Sequence, residues 1–204
     1  MHAHSIVRSV SKFKVNVVIK ILILSDFVIW STNNLLAPIF AIYVADFVPG
    51  AGIEAVGIAS AVYLVVKSIA EVPVGIYIDR SKSERDDLYT AVIGTALSAF
   101  VYVGYIFIND VWHLYLLQGL LGLSAAFAFP GWYLIFTRHI DKSKEAFEWS
   151  LYDVFLGLGM AATAALSGFW VSVWGFDSLF ITLGVMTFVG ALLLLIIRKR
   201  IYEK

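Results

Sequence analysis

No cysteine occurs among the 204 residues, which excludes disulfides and thiolate metal sites. Charge is scarce, at 15% of residues, and sums to zero, so the basic field that nucleic-acid binding requires is missing. The few histidines, His2, His4, His113 and His139, stand at the amino terminus or at predicted helix ends. Neither G-x-S-x-G nor H-E-x-x-H is present, so nucleophilic and metal catalysis have no constellation to work from. The chain reads as a non-enzyme without a cofactor or metal.

What fills the sequence is hydrocarbon. Hydrophobic residues make up 60% of it and the mean hydropathy is +0.85, far above an ordinary soluble domain. Six apolar runs are long enough to span a bilayer as helices: 17–44, 54–78, 88–108, 112–137, 147–171 and 176–197. Between them lie short gaps of turn formers and charges: Pro49 to Gly52, Asp79 to Asp87, Asn109-Asp110, Arg138 to Glu145, and Gly175. The first run follows Arg8, Lys12 and Lys14 but outlasts a secretory h-region, carries Asp26 and two asparagines, and offers no small-x-small cleavage site, so it reads as an uncleaved helix. The expected architecture is an all-α membrane protein. Residues 1–16 form a terminal segment, 17–197 a six-helix domain and 198–204 a basic tail.

The cations set an orientation. Every Lys and Arg except Lys67 falls at the amino end (Arg8, Lys12, Lys14 and Lys20), in the second gap, in the fourth gap or in the tail. Six crossings put those four places on one side. Only Asp46, Glu54, Asp110, His113 and Asp177 are expected on the other. The positive-inside rule then assigns both termini to the cytoplasm, and the expected location is a prokaryotic cytoplasmic membrane. Trp112, Trp149 and Trp174 near helix ends fit interfacial aromatic belts.

The stretch Ala61 to Asp87, AVYLVVKSIAEVPVGIYIDRSKSERDD, holds the exceptional cation. An ionised group at mid-bilayer costs at least ~2.5 kcal/mol, so such residues turn toward a bundle interior and find partners. Lys67 and Glu71 share one helical face, with Ser60 further along it. Asp26, at a similar depth on the first helix, shares its face with Trp30 and Asn33, with Asn34 adjacent. The expectation is that Lys67 pairs with Glu71, Asp26 or both, making a polar patch that lines an aqueous cavity. Gln118 joins it as a candidate substrate contact. A buried ion pair that only fixes helix packing is the competing reading. Asp153, one turn inside the fifth run, suits packing against charged loops as well as function. Gly119 with Gly122, and Gly157 with Gly159, are expected to let helices approach closely, while Pro38, Pro73 and Pro130 are expected to kink theirs.

Pro38-Ile-Phe-Ala-Ile-Tyr is echoed by Pro130-Gly-Trp-Tyr-Leu-Ile-Phe, and Glu54-Ala-Val-Gly by Glu145-Ala-Phe-Glu. A repeat of that spacing divides six helices into three plus three. An odd number of crossings inverts the second copy, as in secondary transporters.

The run Pro73-Val-Gly75-Ile-Tyr-Ile-Asp79-Arg80 resembles the G-x-L-A-D-R loop motif between helices two and three of the major facilitator superfamily. The usual glycine and basic cluster are replaced by Ser81-Lys82-Ser83-Glu84-Arg85. Leu114 to Gly122 with Ala128-Phe-Pro130 is similar to the family's fourth helix, and Lys144 through Gly157-Leu-Gly159 to Gly168 to its fifth. The resemblance implies a transporter of small solutes by alternating access. It also implies close packing at Gly75 and a gating latch at Asp79, Arg80 and Arg85, with Asp153 nearby. Members normally have twelve helices in two halves, and this chain supplies one. It starts with methionine and closes on a basic tail, and so reads as a complete half-length product. The expected partners are membrane lipids, a small solute, and a second copy or another half-transporter. A non-transporting scaffold, subunit or sensor with the same fold is the alternative.

Overall fold

A computed structural model describes residues 15–81 and 83–199. The expectations placed on Arg8, Lys12, Lys14, Lys82, Arg200 and Lys204 lie outside the described residues. Within them every regular element is helical: α1 (Val17–Asn33), α2 (Phe40–Phe47), α3 (Ile53–Ser81), α4 (Glu84–Gly104), α5 (Val111–His139) and α6 (Glu145–Ile196). Single 3-10 turns, Ala37–Ile39 and Tyr105–Phe107, lead into α2 and finish α4.

Local chemistry explains the starts and stops. Asn16 caps α1 by accepting from Val18 N at 2.9 Å, and Asp110 caps α5 from Trp112 N at 2.9 Å. Both satisfy first-turn donors that have no partner in the helix. Pro38 does not kink a continuous helix. It sits in the 3-10 turn after α1 has ended, because proline lacks the N–H a helix interior needs and fits a first turn instead. Pro73 and Pro130 lie inside α3 and α5, which continue past them.

The expected gap from Asp79 to Asp87 is shorter than its composition suggests. Asp79 and Arg80 belong to the last turn of α3, and Arg85 to the first turn of α4, so the charged stretch is mostly helix ends. Acidic Glu84, Asp86 and Asp87 suit the helix start they occupy, where unpaired N–H groups favour negative charge.

By length and composition five helical stretches can cross a membrane: 17–47, 53–81, 84–107, 111–139 and 145–196. The last is 52 residues, roughly 80 Å if straight at ~1.5 Å per residue, against a hydrocarbon core of about 30 Å. It is not straight. Gly175, at φ 75° and ψ 173°, breaks it, in a backbone region essentially closed to residues with a Cβ.

Among the described residues the buried interior is apolar in two separate clusters and polar between them. One buried cluster joins Tyr43, Ala59, Tyr105, Leu114, Phe180 and their neighbours; the other joins Ile19, Leu22, Leu88, Ile135, Phe136 and Leu194. Between them in chain position fall the buried polar residues Ser25, Asp26, Thr95, Gln118, Ser124 and Thr187. A soluble domain puts its hydrocarbon at the centre. Here the outer surface carries it: Ile69, Phe100, Leu158 and Phe169 are each more than half exposed, which lipid tolerates.

Helices α3, α5, α4, α6 and α1 pack in that lateral order, with α1 touching α5 more lightly. Lipid tails are as apolar as leucine, so close approach and hydrogen bonds supply the attraction between helices. A Cβ on Gly122 would strike the Tyr63 backbone of α3, and one on Gly94 the backbone of Ser124 and Ala128 on α5. Gly159 likewise meets Ser31 and Phe27 of α1, whereas Gly157 faces open space and Gly119 makes only ordinary contact with Val62 and Val66.

Candidate functional site

Four helices line a half-open cavity of about 540 Å³. From α1 come Asp26, Trp30 and Asn33, spaced to share a face; from α3, Ser60 and Lys67; from α5, Gln118. These six residues, each named from the sequence, line the same space. Helix α4 adds Thr95, Ser98 and Tyr102, and the 3-10 turn after it Tyr105, which periodicity alone did not mark.

The partners differ from part of the expectation. Lys67 Nζ lies 3.8 Å from Glu71 Oε2 and 4.9 Å from the centre of the Phe129 ring, an ion pair backed by a cation–π contact. Asp26 is engaged elsewhere: the Tyr152 hydroxyl of α6 donates to its Oδ2 at 2.9 Å. Asp26 is 7% exposed. Glu71 pairs with Lys67 but lies outside the cavity lining. Asn33 Oδ1 accepts from Thr187 at 3.4 Å. Asn34 leaves the site and ties α1 to α6 by donating to the Met160 carbonyl at 2.7 Å.

Tyr152, Phe129 and Trp132 escaped the sequence reading. They hold or flank the charged groups from residues distant in the chain, and no local pattern announces such contacts. A signal did exist for Trp132 and Phe129, which sit one helical turn apart on α5 beside Pro130.

The residues singled out by the loop motif are not gathered in the cavity. Asp79, Arg80 and Arg85 are exposed at helix ends, and Asp153 is exposed on α6. A Cβ on Gly75 would meet nothing within 4 Å, so within this chain that glycine makes no close approach. At the same end of the bundle a covered carboxylate meets a surface arginine. Arg138 Nη1 donates to Asp87 Oδ2, joining α5 to α4, and the Asp87 side chain is 1% exposed. In the connection that follows Arg138, Asp141 N donates to Glu148 Oε2 of α6 at 3.1 Å, and Lys144 pairs with Asp141 at 2.9 Å. These contacts fasten the α5–α6 connection.

A helical chain with apolar outer faces and a half-open cavity, mostly hydrocarbon with a few polar groups, is built as an integral membrane protein. Its sequence agrees in detail: the model of the Major Facilitator Superfamily matches residues 22–204, and the chain belongs to that superfamily of secondary transporters. Searches among curated proteins and among solved structures each found no match.

Proposed function

We propose that the chain is one half of a transporter working by alternating access, with the solute held in the α1–α3–α4–α5 cavity. The observation that carries this reading is the cavity itself: Asp26, Lys67 and Gln118 converge on a half-open space. Ionisable groups at mid-depth are expensive, and a cavity wetted from one face explains their retention. Asp26, Trp30, Asn33, Lys67 and Gln118 form the solute-facing set. Glu71 holds Lys67, Asn34 holds α1 on α6, and Gly75, Asp79, Arg80, Arg85 and Asp153 form an outer latch at the helix ends.

The break at Gly175 divides α6 into two crossings, which makes six in all, arranged as a three-plus-three inverted repeat with both termini in the cytoplasm. The open side of the cavity is then closed by a second six-helix bundle, a homodimer related by an axis along the membrane normal. The exposed apolar residues of α3, Leu64 and Val65 among them, and the open space at Gly75 suit that contact.

The natural absence of cysteine makes the test direct. Single cysteines at Trp30, Asn33 and Gln118, in liposomes, should react with a membrane-impermeant maleimide, and native mass spectrometry from nanodiscs should find two chains. Unreactive cavity positions would rule out a wet cavity. A single chain together with absent solute flux would leave a scaffold.

A further inference from the structure

If the cavity is the solute site, a reading on which this step rests, its wall also says what kind of solute fits. The charged groups there are already engaged within the chain. Lys67 meets Glu71 at 3.8 Å and stands over the Phe129 ring at 4.9 Å, while Asp26 accepts from the Tyr152 hydroxyl at 2.9 Å. The serine hydroxyls are turned to their own helices: Ser60 donates to the Val56 carbonyl at 2.9 Å, Ser98 to Thr95 at 2.7 Å and Ser124 to Leu120 at 2.7 Å. Gln118 differs. It is 8% exposed and lines the cavity from α5, yet its amide has no hydrogen-bond partner among the described residues. The unpartnered side-chain atoms that are sealed in belong to Ser31, Asp87, Tyr105, Trp132 and Glu148, so the Gln118 amide still reaches the open space. Thr95 and the hydroxyl tips of Tyr63 and Tyr102 line that space as well. All of these groups are neutral, and each both donates and accepts.

The rest of the wall is mostly hydrocarbon. Trp30, Phe40, Tyr63 and Phe129 bring rings to it, and Ile29 and Leu121 aliphatic surface. A charged solute would shed its water there without meeting an unengaged counter-charge. A sugar would bring more hydroxyls than the wall can answer, each one left unpaired costing about 1–3 kcal/mol. Rings around about 540 Å³, with a few placed polar groups, suit a molecule of drug size or smaller. We propose that the cavity takes an uncharged, mainly apolar, ring-bearing solute, oriented by one amide, carbonyl or hydroxyl group on the Gln118 side chain. Lys67 then serves the wall, its ammonium holding the Phe129 ring in place.

The test uses the full chain in lipid nanodiscs, titrated by calorimetry with the heats of empty nanodiscs subtracted. The probes are phenylacetamide, phenylacetate, phenethylamine and ethylbenzene, similar in shape, with glucose as the polar contrast. Phenylacetamide should bind saturably, about tenfold or more tighter than either ion, and glucose should not bind. Gln118→Leu should weaken the amide by about threefold to tenfold and leave ethylbenzene bound no more weakly than before. Saturating phenylacetamide should also slow maleimide labelling of Asn33→Cys, which places the probe in the cavity. Tighter binding of either ion, binding of glucose, binding of no probe, undiminished labelling of Asn33→Cys, or amide affinity unchanged by Gln118→Leu would overturn the proposal. The wild-type ranking decides the charge class even if a variant fails to fold. Phenylacetamide bound in the cavity but carried into proteoliposomes no faster than into empty liposomes would sink transport and leave the ligand class standing. Uptake of one of the ions without amide binding would do the reverse.

Discussion

Helices α3 and α5 are both 29 residues long, both apolar enough to span a membrane, and both carry an internal proline. Yet the chain buries 44% of the apolar stretch of α5 and only 11% of that of α3. Helix α5 lies between α3 and α4 and touches both at glycine-sized distances; α3 leans on α5 almost alone. The contrast separates two uses of hydrocarbon. On α5 it is packed against protein, with Leu114, Ile135 and Phe136 fully covered; on α3 it is left for lipid or for a second bundle.

The comparison breaks most violently at Gly122. Gly122→Leu drives a side chain into the α3 backbone at Tyr63 and Lys67, an overpacking worth about 3 kcal/mol or more. Size-exclusion chromatography in mild detergent should show aggregate in place of a sharp peak. A normal elution profile would mean that α3 and α5 are not in close contact.

Next in size is the ion pair beside the α5 end. Arg138→Ala strands the covered carboxylate of Asp87, and breaking a buried pair on one side costs about 3–5 kcal/mol, less here because the arginine is partly exposed. The thermal midpoint should fall, and adding Asp87→Asn to the same chain should recover part of the loss. No recovery would argue that the arginine acts through packing rather than charge.

On α3 the expected effects shift from stability to activity. Lys67→Gln removes a loose, partly exposed ion pair, so its midpoint should move by about 1 kcal/mol or less, whereas solute uptake into proteoliposomes should drop by about tenfold or more. A large stability loss with unchanged uptake would turn Lys67 into a packing residue. The smallest effect belongs to Gly75→Ala, where a methyl meets nothing within the chain and the helix gains roughly 0.5–1 kcal/mol from the more favourable residue. Destabilisation there would show that the face is already covered in the single chain.

Much of this could be read before any fold was known. The placement of Asp26, Trp30, Asn33, Lys67 and Gln118 on cavity-facing surfaces followed from helical periodicity and from the cost of charge in hydrocarbon. The positions of the charged gaps followed from composition, although Asp79, Arg80 and Arg85 proved to be helix ends. A helix tolerates polar residues in its first and last turns, where side chains reach water, so polarity alone overstates the length of a loop. The loop-motif resemblance pointed to a latch, but the ion pair with a covered carboxylate at that end is Asp87 with Arg138, which no local pattern marks.

By itself the sequence determined that the chain is helical and apolar enough for lipid, where its helices run, and which polar residues interrupt its apolar runs. Each of those depends on spacing along one helix or on transfer into hydrocarbon, and both are local properties. Only the tertiary structure decided that Asp26 bonds to Tyr152 and leaves Lys67 to Glu71 and Phe129, and that α5 is central while α3 stays bare. Those outcomes depend on which helices meet and in what rotation. Helix–helix contact in lipid turns on glycine-sized approaches and single hydrogen bonds between residues far apart in the chain, to which hydropathy is blind.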